Sequence, residues 1–349
     1  MRSHRSALAA PTTDRATGTL LAQLELEDAE LSARLAVGLG AAEKELQDTT
    51  AAAADPRVAE LTGHLAAFGG KRLRPLLVLL GAEFGEPWRA GVTEAAVIAE
   101  LVHVSSLYHD DVMDAATTRH GVPSANARWG ERSAVFGGDW LLARAAQLSA
   151  ALGAETIRLN AEVAGRLVTG QLRELTGPAP GEDPVEHYFQ VLSGKTAALF
   201  SMSLSIGAHQ AGAPAASIQA LDEYGRHLGL AFQIADDLLD LTAPVDWTGK
   251  ERGKDLATGV ASLPVLLARA DESPDGAELR EILLAGPSVD TAVRLRALEL
   301  FQSSPALATT EAMMHRRLAR AQAAIRDLAP HPAHQALGAL CAFMAARTA

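Results

Sequence analysis

Between residues 19 and 241 the apolar positions of this 349-residue chain recur with a helical period in one segment after another. The segments cover 19–48, 56–67, 75–85, 89–113, 133–150, 154–176, 184–207 and 215–241, with shorter ones to the end. Runs that alternate apolar and polar residues, as a half-buried strand requires, are nearly absent. Hydrophobic residues make up 48% but aromatics only 4%, and alanine and leucine carry the difference, a mix that favours helices over sheets. Helices of this kind bury their apolar stripes against one another, so the expected fold is a large all-α bundle.

The breaks between segments are rich in glycine and proline: "TGPAPGEDP" at 176–184, "AGAPAAS" at 211–217, "APVDWTGKERGKDLATG" at 243–259 and "DESPDG" at 271–276. None is long enough to demand a domain boundary, and a helical fold can use this length as one unit. We expect a single domain over 19–349, preceded by a frayed tail at 1–18. In that tail the apolar piece "ALAA" is too short for a secretory signal. No window of about 18 apolar residues is evident, so no membrane-spanning helix is expected. The formal charge of −11 argues against a nucleic-acid binder but leaves a local anion pocket open. Cys341, the single cysteine, excludes an internal disulfide framework and a Cys-rich zinc site, fits a reducing cytoplasm, and reads most simply as a small core hydrophobe.

Against this helical background the stretch "YHDDVMD" at 108–114 is out of place, because it ends a long apolar helix with three aspartates. A helix C-terminus favours cations, so the macrodipole opposes these acids. The arrangement recurs as "DDLLD" at 236–240, again at the end of a long apolar helix. In each cluster the outer aspartates, Asp110 with Asp114 and Asp236 with Asp240, are four apart and project from one helix face. Like charges at that spacing cost roughly a few tenths of a kcal/mol even in water. One such cluster could be an ordinary solvated helix end; two matching ones point to bound cations. Carboxylates without nearby cysteine select hard ions, and magnesium takes one or two of them while phosphate oxygens fill its remaining positions. A phosphate-rich ligand between the two faces follows.

Groups able to hold that ligand are present. "GGKRLRP" at 69–75 joins two glycines to Lys71, Arg72 and Arg74 just before Pro75 opens a helix, and helix N-termini bind anions. "SGKT" at 193–196 is not a nucleotide-binding P-loop, because Phe189 stands where that motif requires glycine. Lys195 and Thr196 can still donate to a phosphate from a helix.

Taken together, "GGKRLRP", "HDDVMD", "GKT" and "FQIADDLLD" followed by "GKERGKD" resemble, in order, the motifs of the trans-isoprenyl diphosphate synthase (polyprenyl synthetase) family over about residues 60–270. The stretch from Leu107 to Ala145 is similar to its bacterial polyprenyl members. The resemblance implies an all-helical isoprenoid synthase fold with a deep central cavity, a cytoplasmic homodimer, and several Mg²⁺ ions bound with substrate diphosphate by two DDxxD clusters. It implies that isopentenyl diphosphate attacks the cation formed when an allylic diphosphate loses its diphosphate. By that analogy Asp110, Asp114 and Asp236 are the principal metal ligands, with Asp111, Asp237 and Asp240 in support. Lys71, Arg74 and His103 would hold isopentenyl diphosphate, while Arg119, Lys195, Thr196, Gln233 and Lys250 would surround the allylic diphosphate. Asp110, Asp114, Asp236, Lys195 and Arg119 would carry the catalysis. Judged alone, His103 would be a core histidine and Gln233 a packing amide.

One position departs from the family. Its members carry two consecutive arginines after the first cluster, where this chain has Arg119 and His120, and histidine lacks the arginine fork. His120 should weaken the contact to isopentenyl diphosphate. Short-chain members place a bulky aromatic four or five residues before the first aspartate; here Ser106 and Ser105 stand there, with Leu101 and Val102 on the next turn. That wall suggests a medium or long polyprenyl product, possible membrane contact on release, and a packing role for Tyr108. A class I terpene cyclase, a prenyltransferase with another acceptor and a non-catalytic partner subunit remain as rivals. Cyclases carry an Asn/Ser/Glu second motif, absent here, and partner subunits commonly lose one acidic cluster.

Overall fold

The computed structural model describes residues 20–67, 70–242, 252–287 and 290–347. The expected tail at 1–18 and Lys250 lie outside them. Helices α1 (Ala29–Ala51), α2 (Pro56–Ala67), α3 (Leu73–Ala82) and α4 (Val92–Met113) lead to a small hairpin, Thr118–Arg119 with Val122–Pro123. Helices α5 (Ala125–Trp129), α6 (Glu131–Leu152), α7 (Ala154–Thr176) and α8 (Pro184–Leu192) follow. A π-turn, Ser193–Ala197, joins α8 to α9 (Ala198–Gln210), and α10 (Ala215–Thr242) completes the main bundle. Among the described residues six more helices follow: α11 (Lys254–Thr258), α12 (Leu263–Arg269), α13 (Ala277–Leu284), α14 (Thr291–Ser303), α15 (Pro305–Ala324) and α16 (Pro332–Ala346).

The helix expected over 19–48 is two. Residues 24–28 interrupt it, Glu25 takes a left-handed φ of 43°, and Asp28 caps α1 by accepting from the Leu31 amide at 2.7 Å. An aspartate at this position satisfies an otherwise orphaned helix donor. Apolar periodicity hides the break because Leu20, Leu21 and Leu24 bury in the same core as Leu31 and Leu35.

Helix α4 is central and apolar nearly all round: Val97, Ile98, Leu101 and Val102 are buried among residues of α6, α7 and α9. Glycines bring α3 and α9 into backbone contact. A Cβ on Gly207 would lie 1.9 Å from the Val78 carbonyl oxygen, and one on Gly81 2.2 Å from that of Leu204. Within the continuous helical stretch Pro184–Gln210 an 18-residue window reaches a mean hydropathy of 1.2, enough by length and composition to cross a membrane although it carries Lys195. That window is 89% buried within the fold, which accounts for its composition as a core helix. Tyr108 packs as expected, fully buried, with its hydroxyl donating to the Leu61 carbonyl.

The hairpin turns through His120 and Gly121, with φ of 52° and 78°. Its register pairs Arg119 with Val122, leaving a two-residue loop in which both residues need positive φ. The turn fixes where Arg119 and His120 are presented.

Glycine contacts generate an expectation of opposite signs. Gly207→Ala should destabilise the fold by ~1–3 kcal/mol or more. Gly40→Ala, on the exposed face of α1 with nothing within 4 Å, should stabilise it by up to ~1 kcal/mol. Thermal melting of the two variants checks both.

Candidate active site

His103, Asp110 and Asp114 share one face of α4 by helical spacing, and Asp114 is its C-terminal cap. Arg74, in the first turn of α3, donates from Nη1 to His103 Nε2 at 3.2 Å and lies 5.2 Å over the Phe200 ring. Burial, and next the Arg74 charge, push the His103 pKa well below the usual histidine value, so the ring accepts as a neutral imidazole. Arg74 also feels the attraction of Asp236 on α10. Arg74 and His103 therefore join the acid face of α4 to the acid end of α10.

The π-turn makes the same connection from the other side. Lys195 is ion-paired with Glu174 of α7 and exerts the strongest opposing pull on Asp110. Its neighbour Thr196 donates to Gln233 Oε1 at 3.3 Å on α10. Gly194 is there for helix packing: a Cβ would sit 2.6 Å from the Arg166 carbonyl oxygen and 3.0 Å from Gly170 Cα.

Aspartates that look alike in sequence differ in surroundings. Asp110 has its pKa raised by burial despite Lys195, and Asp114 is exposed at the helix end. Asp111 is fully buried and its Oδ1 accepts from Arg119 Nε at 2.8 Å and from Nη2. Burial raises the Asp236 pKa while Arg347, donating to its Oδ1 at 2.8 Å, opposes the shift. Asp237 accepts from Tyr188 Oη at 2.6 Å, the Leu263 amide at 3.0 Å and Gln233 Nε2 at 3.3 Å, yet burial still lifts it to about 6. Asp240 takes the amides of Lys254 and Asp255 at 3.2 and 3.1 Å, capping α11. In both clusters the middle aspartate is tied inward and the first faces the open side. Lys71 lies within electrostatic reach of Asp236 and Arg347, and His120 is exposed at the hairpin tip.

Sequence reasoning passed over several of these partners. Asp255 is lifted to about 7 by burial and by Asp240, although it was in view within "GKERGKD". Glu174, Tyr188 and Arg347 carry no local signal, since each matters only through a partner distant in sequence. Among the described residues no three His, Cys, Asp or Glu side chains converge as a closed metal cage. The acids form open half-sites of hard oxygen donors, which fit a divalent cation whose other ligands come from phosphate.

From Asp110 and Lys195 a cavity of about 380 Å³ runs between α4, α6 and α7, past Ser105, Ser106, Leu142 and Leu167. Ser105 Oγ donates to the Gly138 carbonyl at 2.9 Å and Ser106 Oγ to that of His103 at 2.8 Å. With both hydroxyls satisfied by backbone, the wall is narrow in side chain and apolar in character.

The model of the polyprenyl synthetase family matches residues 55–299. This chain belongs to that family. It is 39% identical over 334 residues to a nonaprenyl diphosphate synthase of Mycobacterium tuberculosis, spanning 95% of this chain and 99% of the relative. It is 35% identical over 284 residues to a heptaprenyl diphosphate synthase component 2 of Geobacillus stearothermophilus, spanning 81% and 87%. Among solved structures, geranylgeranyl pyrophosphate synthase from Corynebacterium glutamicum, complexed with calcium and isoprenyl diphosphate, superimposes with a TM-score of 0.84 at 39% identity over 93% of this chain and 99% of that one. A decaprenyl diphosphate synthase from Rhodobacter capsulatus gives 0.83 at 32% identity over 92% and 99%. The polyprenyl synthetase is thus an all-α protein of the isoprenyl synthase fold and a trans-prenyltransferase.

The buried acids impose a pH dependence on the metal-free polyprenyl synthetase. The folded chain keeps protons on Asp237 to about 6 and on Asp255 to about 7, whereas unfolded aspartates release them near pH 4. Their contribution to stability is therefore fully present at acid pH and falls between about pH 4 and 7. His103, held neutral, acts in the opposite direction below about pH 6.5. Asp255→Asn isolates the acid: relative to wild type in EDTA, its melting temperature should decline less from pH 5 to 8, by a difference on the order of 1–3 kcal/mol in stability.

Proposed function

We propose that this trans-prenyltransferase condenses isopentenyl diphosphate with an allylic diphosphate to give a medium- or long-chain all-trans polyprenyl diphosphate. One set of links carries the reading: Arg74 joins His103 on the helix of Asp110 to the charge of Asp236, Lys195 opposes Asp110 while its neighbour Thr196 reaches Gln233 on the helix of Asp236, and an apolar cavity begins at Asp110. Relatives named as nonaprenyl and octaprenyl diphosphate synthases support a long product.

Asp110, Asp114 and Asp236 would hold Mg²⁺, with Asp111, Asp237 and Asp240 orienting them from behind. Bound there, the ions would neutralise charge developing on the departing diphosphate. Lys195, Thr196, Arg119, Gln233 and Lys250 hold that diphosphate as the allylic C–O bond breaks. Apolar walls keep water from the resulting cation. Lys71, Arg74 and His103, with His120 beside them, hold isopentenyl diphosphate so that its double bond forms the new C–C bond; proton loss then restores neutrality at carbon. The growing chain descends past Ser105 and Ser106. We also assign a cytoplasmic location, a homodimer for which the exposed Phe136 on α6 offers apolar surface, and membrane contact at product release.

Incubating the purified chain with labelled isopentenyl diphosphate, allylic starters and Mg²⁺ tests the reading by chromatography. Products longer by multiples of five carbons support it. Cyclised hydrocarbon from allylic diphosphate alone would mark a cyclase, and activity only with a second subunit would mark a partner protein. Asp236→Ala should lower kcat by about 10³-fold or more. Ser106→Phe should shorten the dominant product without loss of isopentenyl diphosphate affinity, and His120→Arg should lower the KM for isopentenyl diphosphate.

A further inference from the structure

Arg72 sits in the basic loop between Lys71 and Leu73, and by sequence it joins them at the anion site. Its side chain goes elsewhere. It is 4% exposed and reaches three other helices. Nε and Nη2 fork onto Glu43 of α1 at 2.6 and 3.1 Å, Nη1 donates to Glu100 of α4 at 2.9 Å, and Nη2 also reaches the Ala66 carbonyl near the end of α2. The backbone at Arg72 is left-handed, φ 46° and ψ 38°, an unfavourable conformation for a residue with a Cβ. Such strain persists where the surroundings over-determine it.

That residue is also the N-cap of α3: its carbonyl accepts the Leu76 amide at 3.0 Å. The first turn it opens carries Arg74. Glu100 lies three residues before His103 on α4, and its charge attracts Arg74 as well as Arg72. Its Oε2 and Arg74 Nε have no hydrogen-bond partner among the described residues. Glu43, Arg72, Glu100, Arg74 and His103 thus form one largely buried polar chain, ending at Arg74, which feels the charge of Asp236.

We propose that Arg72 is a positioning residue for the acceptor diphosphate: its clamp on Glu43 and Glu100 fixes the loop so that Lys71 and Arg74 converge with His103, while its own guanidinium never touches substrate. The inference rests on the elongation reading and adds to it a residue that sets affinity for one of the two substrates. The allylic side, built on Lys195, Thr196 and Arg119, draws on none of these contacts. A direct anion ligand would behave differently, because loosening its hold on Glu43 would free it for substrate.

The experiment compares wild type, Glu43→Gln and Arg72→Lys, recording melting temperature, kcat and the KM for each substrate well below each variant's melting point. Arg72→Lys keeps the charge but loses the fork, and it should raise the KM for isopentenyl diphosphate by roughly tenfold or more, the scale expected of a misplaced binding group. The KM for the allylic diphosphate should stay within about threefold, as for a site sharing no partners with the change. Should Arg72→Lys fail to fold, Glu43→Gln decides alone: a raised isopentenyl diphosphate KM supports the clamp. An unchanged or lowered value overturns it, as does a parallel loss on both substrates. If wild type itself neither binds isopentenyl diphosphate by calorimetry nor consumes it, the elongation reading fails instead.

Discussion

Carboxylates gathered at the C-terminal ends of two buried helices are the constraint around which the polyprenyl synthetase is arranged. Burial raises the pKa of Asp110, Asp236, Asp237 and Asp255, so each of these acids is costly to ionise as the folded chain stands. The chain offsets only part of that cost. Arg119 is paired with Asp111, Arg347 with Asp236, and Lys195 divides its charge between Glu174 and Asp110. The negative charge left over is what the proposed cations and diphosphate would complement.

Repetition of the DDxxD pattern conceals a division of labour. In each cluster the middle acid is anchored inward, Asp111 to Arg119 and Asp237 to Tyr188 and the Leu263 amide, which fixes the helix end against its neighbours. The first acid is left less buried, and Asp110 lines the cavity. Asp240 differs from Asp114 because it caps α11, tying the end of α10 to the segment that brings in Asp255. Positioning by buried polar contacts recurs in the basic loop, where Arg72 holds the frame, Lys71 is exposed and Arg74 reaches His103.

Much of this was legible in sequence. Helix positions over 56–241 followed from apolar period and from glycine and proline breaks, since long helices state their buried face many times over. The acid spacing likewise predicted a shared face for Asp110 and Asp114. What failed to show depends on contacts between distant segments. Leu20, Leu21 and Leu24 continue the apolar rhythm through the break before Asp28, so only the cap marks it. Arg72 reads as one more anion-binding cation until Glu43 and Glu100 close on it. Gly194 has no visible role in sequence once the P-loop reading fails at Phe189, and its reason appears only when Gly170 is seen against it.

Anomalous diffraction from crystals grown with Mn²⁺ and an unreactive allylic thiodiphosphate tests the central claim most directly. The account predicts metal peaks beside Asp110 with Asp114 and beside Asp236, both in contact with one diphosphate, and the hydrocarbon entering the cavity beyond Ser106. Metal at a single cluster, or a diphosphate bound without reaching both, would contradict it.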